Sequence, residues 1–288
     1  MNELERIVVL IDADNTRLSK MADVLREIST HGRIVVKRAY GNWRKEALKH
    51  WEAEIKRLAI KAVQQFDYVS GKNATDMALV IDTIELLYTK TYDAFVIVSS
   101  DSDYTPLAIK LHESGVYVMG VGEKQTAESF RNACDEFLFL ENISTAAEVE
   151  AEAEAEPEPE PPAKNAGKKT AAAAGKAAAS SGQKSAKAAG PETARGGKGA
   201  KRKTAADGLE EVHALLRKAF DTYQDDDGYV SVSTAGSFLK RTKPDFDCRT
   251  YGHTKLSQLL EAFPKKYELK RRQKGSGVII SYRCLGRR

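Results

Sequence analysis

Phe95-Val96-Ile97-Val98-Ser99-Ser100-Asp101-Ser102-Asp103-Tyr104 decides the reading of this chain. Two carboxylates follow directly on an apolar, β-branched run of the kind that forms a strand buried on both faces. A second run, Ile7-Val8-Val9-Leu10-Ile11, delivers Asp12 and Asp14 in the same way. In an open parallel α/β sheet, groups just past the carboxyl ends of strands line the ligand crevice. Carboxylates gathered there repel one another unless a cation separates them, and a hard divalent metal ion is the usual answer. The first half of the chain therefore reads as a metal-dependent site.

Outward from these two runs, residues 1–145 alternate strand and helix patterns, which predicts a doubly wound parallel α/β sheet. Strands are expected over 6–11, 33–39, 65–69, 94–99, 116–121 and 137–140, and helices over 17–30, 43–63, 75–88, 104–113 and 125–133. In the helix over 75–88, Met77, Val80, Ile81, Ile84 and Leu87 form one apolar stripe of the kind that packs on a core.

Charge divides the 288 residues sharply. Net charge is −4 over residues 1–145, −7 over 146–162, +10 over 163–206 and +5 over 207–288, so the overall +4 conceals an acidic front and a basic back. That asymmetry suits an acidic catalytic module joined to a polyanion-seeking one. Cys134, Cys248 and Cys284 are far apart with no Cys-x-x-Cys pair, which argues against a structural zinc site or disulfide framework and fits a reducing compartment. The apolar run at the N-terminus is too short for a signal peptide, and no stretch approaches a membrane span. A soluble, cytoplasmic protein with no membrane partner is expected.

Residues 146–206 pass from an Ala-Glu and Pro-Glu repeat into an Ala/Gly/Ser/Lys-rich tract. Neither carries enough large apolar side chains to offset the entropy of ordering, so a disordered linker is expected. Its Lys-rich half is either a weak, sequence-independent nucleic-acid contact or a solvated tether. Order returns at Leu209, where Leu209, Val212, Leu215, Leu216, Ala219 and Phe220 form a helical stripe. Short helices near 232–241 and 250–262, then a hairpin of 267–272 and 278–283 around Gly275-Ser276-Gly277, give the outline of a winged helix-turn-helix. The expected division is thus 1–145, a linker over 146–206, and 207–288.

The acids supply the chemistry. Asp12, Asp14 and Asn15 follow the first strand, Asp76 lies in the first turn of the 75–88 helix, and Asp101 and Asp103 follow the fourth strand. Asp82 is six residues beyond Asp76, about 240° around a helix, so the two do not easily face one metal, and Asp76 is favoured. A carboxylate ring holding Mg²⁺ or Mn²⁺ is equipment for in-line phosphoryl transfer, with Asn15 placed to orient a water or a phosphate oxygen. Singly, each acid also has a structural explanation: Asp76 as a first-turn acid, Asp101 or Asp103 as a cap. Convergence of two strand ends is not explained by capping.

Four motifs in order resemble the NYN domains, which are PIN-like nucleases. They are Ile11-Asp12-Ala13-Asp14-Asn15, Lys37-Arg38-Ala39-Tyr40-Gly41-Asn42-Trp43, Lys72-Asn73-Ala74-Thr75-Asp76-Met77-Ala78-Leu79-Val80-Ile81-Asp82 and Ser99-Ser100-Asp101-Ser102-Asp103-Tyr104. The resemblance covers 5–141 and implies a metal-dependent ribonuclease with Asp12, Asp76, Asp101 and Asp103 as metal-binding acids and Asn15 in support. It also adds Asp82, against the helical geometry. Lys72, in the third motif, is a candidate RNA contact. Toward the C-terminus, Asp227-Gly228-Tyr229-Val230, Gly236-Ser237-Phe238-Leu239-Lys240, Pro244 to Gly252 and Lys255-Leu256-Ser257-Gln258-Leu259-Leu260 resemble the OST-HTH (LOTUS) winged helix over 207–285. That resemblance implies RNA binding, or a protein partner.

The residues of the wing agree in part. Lys265, Lys266, Lys270, Arg271, Arg272, Lys274 and Arg283 predict a dense cationic patch, and Tyr251, His253 and Tyr267 offer stacking faces or core packing. Trp43 is read either as a base-stacking or as a buried ring. A linker of this composition leaves the two domains without a fixed mutual geometry. Asp225-Asp226-Asp227-Gly228 is not a calcium loop, because Tyr223 and Thr234 stand where its first and twelfth ligands belong. Asp12-Ala13-Asp14-Asn15-Thr16 also looks like the nucleophile motif of haloacid-dehalogenase phosphatases, but here the later acids follow Ser100 at once, without an intervening Lys. A non-catalytic RNA-binding regulator remains the third reading.

Overall fold

The computed structural model describes residues 4–16, 18–68, 73–144, 205–274 and 277–286. The expected linker lies almost wholly outside the described residues. The first unit comprises β1 (Leu4–Asp12), α1 (Met21–Ser29), β2 (Gly32–Gly41), α2 (Trp51–Arg57), β3 (Lys61–Gln64) and α3 (Ala74–Tyr88). It continues with β4 (Ala94–Val98), α4 (Thr105–Glu113), β5 (Tyr117–Gly122), α5 (Glu128–Asn132) and β6 (Glu136–Phe139). The six strands form one parallel sheet in the order β3-β2-β1-β4-β5-β6.

Alternation along the central strands explains both layers. Ile7, Val9 and Ile11 of β1, with Val96 and Val98 of β4, pack against Met21, Val24 and Ile28 of α1 and Trp51 of α2. Val8 and Leu10, with Phe95 and Ile97, face Leu79 and Leu86 of α3, Leu107 and Leu111 of α4 and Phe130 of α5. Strands buried on both faces must be apolar at every position, which is why these runs read so clearly in sequence. Parallel pairing of β1 with β4, Ile11 opposite Val98, puts both acidic motifs at the same carboxyl edge of the sheet.

Two expectations about this unit are corrected. The third strand is Lys61–Gln64, not 65–69, because α2 ends at Arg57 and Ala59 takes a positive φ of 51°, turning the chain into the sheet early. The buried face of α3 is Thr75, Leu79, Thr83, Leu86 and Leu87, whereas Met77 and Ile81 are 56% and 55% exposed. The helix is apolar almost all round. Thr83 turns inward because its hydroxyl donates to the Leu79 carbonyl (2.7 Å), so two threonines occupy a face where only aliphatics were counted.

The second unit contains α6 (Ala205–Tyr223), β7 (Val230–Ser231), α7 (Val232–Thr242), α8 (Leu256–Glu261), β8 (Tyr267–Lys274) and β9 (Gly277–Cys284). Its strands form an antiparallel sheet ordered β7-β9-β8. Val212, Leu216, Phe238, Leu239, Leu259, Leu260 and Tyr282 make its core. The single helix expected over 250–262 is instead a 3₁₀ turn, Cys248–Tyr251, and α8. Gly252 separates them at φ 79°, a left-handed conformation that costs glycine little.

The two units are in contact, contrary to the free tethering expected from the linker. The Phe137 backbone N–H at the sheet edge donates to the Pro244 carbonyl (2.9 Å). Arg131 pairs with Asp245, Arg249 with Glu27 (2.9 Å), and the Asn142 amide donates to Thr250 Oγ1 (2.7 Å). At the centre Glu136, 3% exposed, accepts from Lys240 Nζ (2.5 Å) and from the Tyr117 hydroxyl (2.9 Å), and lies 3.3 Å from His31 Nε2. Composition tells how stiff a linker is; it does not tell whether the domains it joins have complementary surfaces.

Candidate active site

Asp12 ends β1 with its side chain wholly buried. Its Oδ1 accepts the backbone N–H of Asp14 (3.1 Å) and of Asn15 (3.3 Å). Its Oδ2 accepts from Asn15 Nδ2 (2.8 Å), Ser99 Oγ (3.0 Å) and the Tyr104 hydroxyl (3.3 Å). Both oxygens are thus committed to shaping the loop after β1 and tying it to the end of β4. Burial pushes the Asp12 carboxyl up from its ordinary value, and the hydrogen bonds from Asn15 and Ser99 oppose that rise only in part.

Asp76, in the first turn of α3, is half-buried and its Oδ1 accepts from the same Tyr104 hydroxyl (2.9 Å). Burial raises its pKa, and the like charges of Asp101, Asp103 and Asp14 raise it further. Asp101 caps the 3₁₀ turn Ser102–Tyr104 by accepting the Asp103 N–H (2.9 Å), so the capping role weighed for it is real. Asp103 is exposed and accepts from Asn73 Nδ2 (3.2 Å). Asp14 takes the Thr75 hydroxyl (3.1 Å) and pairs with Lys45 (3.3 Å), which also reaches Asp67 (3.3 Å). Gly122 closes the wall beyond β4, where a Cβ would stand 2.8 Å from the Ser99 carbonyl oxygen.

The structure therefore brings Asp12, Asn15, Asp76, Asp101 and Asp103 to one sheet edge, and it does not bring Asp82 there. The Asp82 carboxylate is taken by the Arg38 guanidinium and the Tyr40 hydroxyl, as its place on the far side of the helix from Asp76 requires. Lys72 lies outside the described residues. Tyr104, Ser99, Thr75 and Lys45 are the participants that sequence reasoning missed. Tyr104 read as an apolar helix opener, and only its position one residue past the second acid of Asp101-Ser102-Asp103 hinted at more. Beside the acids a crevice of about 530 Å³ is lined by Asn73, Asp76, Met77, Val80, Asp103, Tyr104 and Pro106.

Whether this set suits a divalent ion can be judged from its chemistry. As the side chains stand, no three His, Cys, Asp or Glu among the described residues are close enough to hold a metal together. Asp12 has no oxygen to spare. Asp76, Asp101 and Asp103 each spend one oxygen on the hydrogen bonds above, which leaves each a second. No Lys, Arg or His among the described residues pairs with Asp12, Asp76, Asp101 or Asp103, and the like charges of Asp101, Asp103 and Asp14 act on Asp76. All-oxygen donors and gathered negative charge fit Mg²⁺ or Mn²⁺, with Asp76, Asp101 and Asp103 the acids free to turn toward it.

The C-terminal candidates look different from their sequence. Lys266 pairs with Glu210 (3.1 Å), Arg271 with Glu261 (2.6 Å), Arg272 with Asp227 and Arg283 with Glu268. Lys270 sits 5.1 Å from the Tyr229 ring centroid. Four of the seven cations are thus paired with acids, three of them with acids from outside the hairpin. Lys265 is exposed and no ion pair of it is seen among the described residues; the Lys274 side chain lies outside them. Tyr267 is buried and its hydroxyl is 2.8 Å from His213 Nδ1, while half-buried Tyr251 packs on Phe246, so both serve packing rather than an open stacking face. Trp43, half-buried, donates to the Val63 carbonyl (3.0 Å) and packs beside Trp51.

Comparison with known proteins finds two domain families in this order. The family model of the NYN domain matches residues 6–141, and that of the OST-HTH/LOTUS domain matches residues 207–279. No protein of curated function matches the chain. Among solved structures, a protein of unknown function from Vibrio parahaemolyticus is similar at 15% identity over 48% of this chain and 94% of its own, with a TM-score of 0.40. A solution structure from Chromobacterium violaceum is 26% identical over 25% of this chain and 78% of its own, with a TM-score of 0.23. An uncharacterized protein of Nitrosomonas europaea is 26% identical over 38% of this chain and 91% of its own, with a TM-score of 0.24. The chain carries an NYN domain over residues 6–141, followed by an OST-HTH/LOTUS domain over residues 207–279.

Proposed function

We propose that the protein is a metal-dependent ribonuclease whose second domain holds the RNA. An NYN domain joined to a LOTUS domain supports a ribonuclease-type or RNA-binding role, and the acid cluster at the sheet edge, with no cation paired to it among the described residues, carries the step to hydrolysis. Gathering like charges around a buried and a half-buried carboxylate costs stability, so a site built this way answers to a cation brought by function. Asp76, Asp101 and Asp103 would hold Mg²⁺ or Mn²⁺. Such an ion supplies charge neutralisation at phosphate and an acidified water, both of which phosphodiester hydrolysis needs.

The chain's own groups do the positioning. Tyr104, buried and with its pKa pushed far up by burial and by Asp12 and Asp76, stays protonated and holds these two carboxylates in register. Asn15 is committed to Asp12 through its amide nitrogen, which leaves its carbonyl oxygen toward solvent as an acceptor. Asp12 acts through the loop it organises. It is unsuited to attack phosphorus, being wholly buried with both oxygens engaged, which weighs against the phosphatase reading.

That same commitment of Asp12, with no three acids at joint ligand distance, favours one alternative: an RNA-binding regulator that cleaves nothing. Cleavage of a labelled single-stranded RNA in Mn²⁺, Mg²⁺ or EDTA, with Asp76→Asn and Asp101→Asn alongside, separates the two. Metal-dependent products that vanish in both variants support the nuclease. Undiminished RNA binding with no products in either metal assigns the regulator.

A further inference from the structure

We propose that the groove where the two domains meet is a second RNA-strand site, built from both domains and continuous with the acid crevice. The inference rests on the RNA-handling reading above. The groove has a volume of about 450 Å³, and Lys20, Lys124, Glu141, Asn142, Arg249 and His253 are among the residues lining it.

Its placement follows from the sheet. The acids occupy the carboxyl ends of β1 and β4, and the neighbours of β4 in order are β5 and then β6. Lys124 follows β5, and Glu141 and Asn142 follow β6, so the groove is the next stretch of the same edge. One hydrogen bond joins the two stretches, from the Glu123 N–H to Ser100 Oγ (2.9 Å), one residue from Asp101. The far wall belongs to the LOTUS domain. It is the turn after Cys248–Tyr251, held by the Asn142–Thr250 hydrogen bond and by the Arg249–Glu27 pair, with Gly252 bending the chain before His253.

Charge indicates the ligand. Arg249 is neutralised by Glu27 and Asp247 and serves as scaffold. Glu141 spends its carboxylate on the Lys124 backbone N–H (3.1 Å to each oxygen). Among the described residues Lys20 Nζ donates to the Ile143 carbonyl (3.0 Å) and no acid pairs with Lys20, Lys124 or His253. A domain of net charge −4 thus sets two ammonium groups with no acid partner among the described residues beside an edge that meets its partner domain, with Glu141 the acid in the same groove. Carboxylates at one end of an edge and free cations at the other suit a strand whose reacting phosphate is met by a metal and whose next phosphates are met by lysine. The His253 ring, at the mouth of the same groove, offers a face to a base of that strand.

The test is binding of a 5′-labelled single-stranded RNA to the full chain in EDTA, followed by fluorescence anisotropy across a salt series. Lys124→Ala and His253→Ala are each expected to weaken binding roughly five- to tenfold at low salt, and Lys124→Ala to flatten the log–log salt slope by about 0.7. Affinity and slope that match the parent chain in both variants would overturn the site. Cleavage in Mg²⁺ is read separately. Lost affinity with no cleavage by the parent leaves the groove standing and removes the nuclease. Cleavage by the parent with unchanged binding in both variants does the reverse.

Discussion

The acid crevice and the domain junction use the same carboxylates in opposite ways. At the junction the acids have their cations: Glu136 has Lys240 and His31, Asp245 has Arg131 and Lys243, and Glu27 has Arg249. Glu136 is accordingly pushed down to about 2 despite its burial, and His31 is pushed up by its bond to Glu136. In the crevice Asp12 and Asp76 are pushed the other way, by burial first. The first arrangement binds two parts of one chain. The second gathers like charges that no cation among the described residues pairs with, which is the observation behind the proposed metal site.

The comparison can be broken most severely at Asp76. Asp76→Asn removes a free carboxylate oxygen while keeping the Tyr104 contact, and RNA cleavage should fall by more than the ~100-fold typical of outer-layer partners of a metal site. A retained rate would place the chemistry elsewhere.

Next comes Glu136. Glu136→Ala leaves His31 and Lys240 facing a void and should lower stability by about 3 kcal/mol, read from chemical denaturation. The pH dependence has two limbs. Because the folded pKa of Glu136 is depressed, its contribution is present above the ordinary carboxylate range and is lost as pH falls toward about 2. Because that of His31 is raised, its contribution is full below 6.5 and is lost as pH rises through the folded value. A junction indifferent to both limbs would mean that the pairs do not hold the domains together.

The smallest effect sharpens the contrast on the wing. Arg271→Ala removes an exposed partner of Glu261 and should change stability by less than about 1 kcal/mol. Since the arginine is already paired, RNA affinity should fall less than for Lys124→Ala, which anisotropy titrations of the two variants would rank.

How much of this was legible in the sequence follows the range of the interactions. The runs Ile7–Ile11 and Phe95–Val98 announce themselves because strands buried on both faces tolerate only apolar residues, and the acids follow them by one to five positions. The orientation of α3 was not legible, because Met77 and Ile81 are as apolar as Leu79 and Leu86 and only packing distinguishes them. Tyr104 was missed because a hydroxyl shared by Asp12 and Asp76 spans separations of 92 and 28 residues. The wing misled because its cations are contiguous while Asp227, which neutralises Arg272, lies 45 residues away. The docking of the domains rests on pairs such as Glu136–Lys240, 104 residues apart, which no local pattern encodes.

The central claim is that the crevice awaits a divalent cation, and thermal unfolding of the full chain with and without Mn²⁺ tests it most directly. A ligand that binds only the folded state stabilises it by about 2.7 kcal/mol at a hundred times its Kd. The raised pKa of Asp76 means that stability is lost as pH rises from the ordinary carboxylate range through its folded value, so the ionised carboxylate is a burden to the fold. The account predicts that Mn²⁺ raises the Tm of the parent chain. It also predicts that Asp76→Asn raises the metal-free Tm and removes most of the Mn²⁺ increment. An unchanged Tm of the parent in saturating Mn²⁺, or an equal increment in the variant, would contradict it.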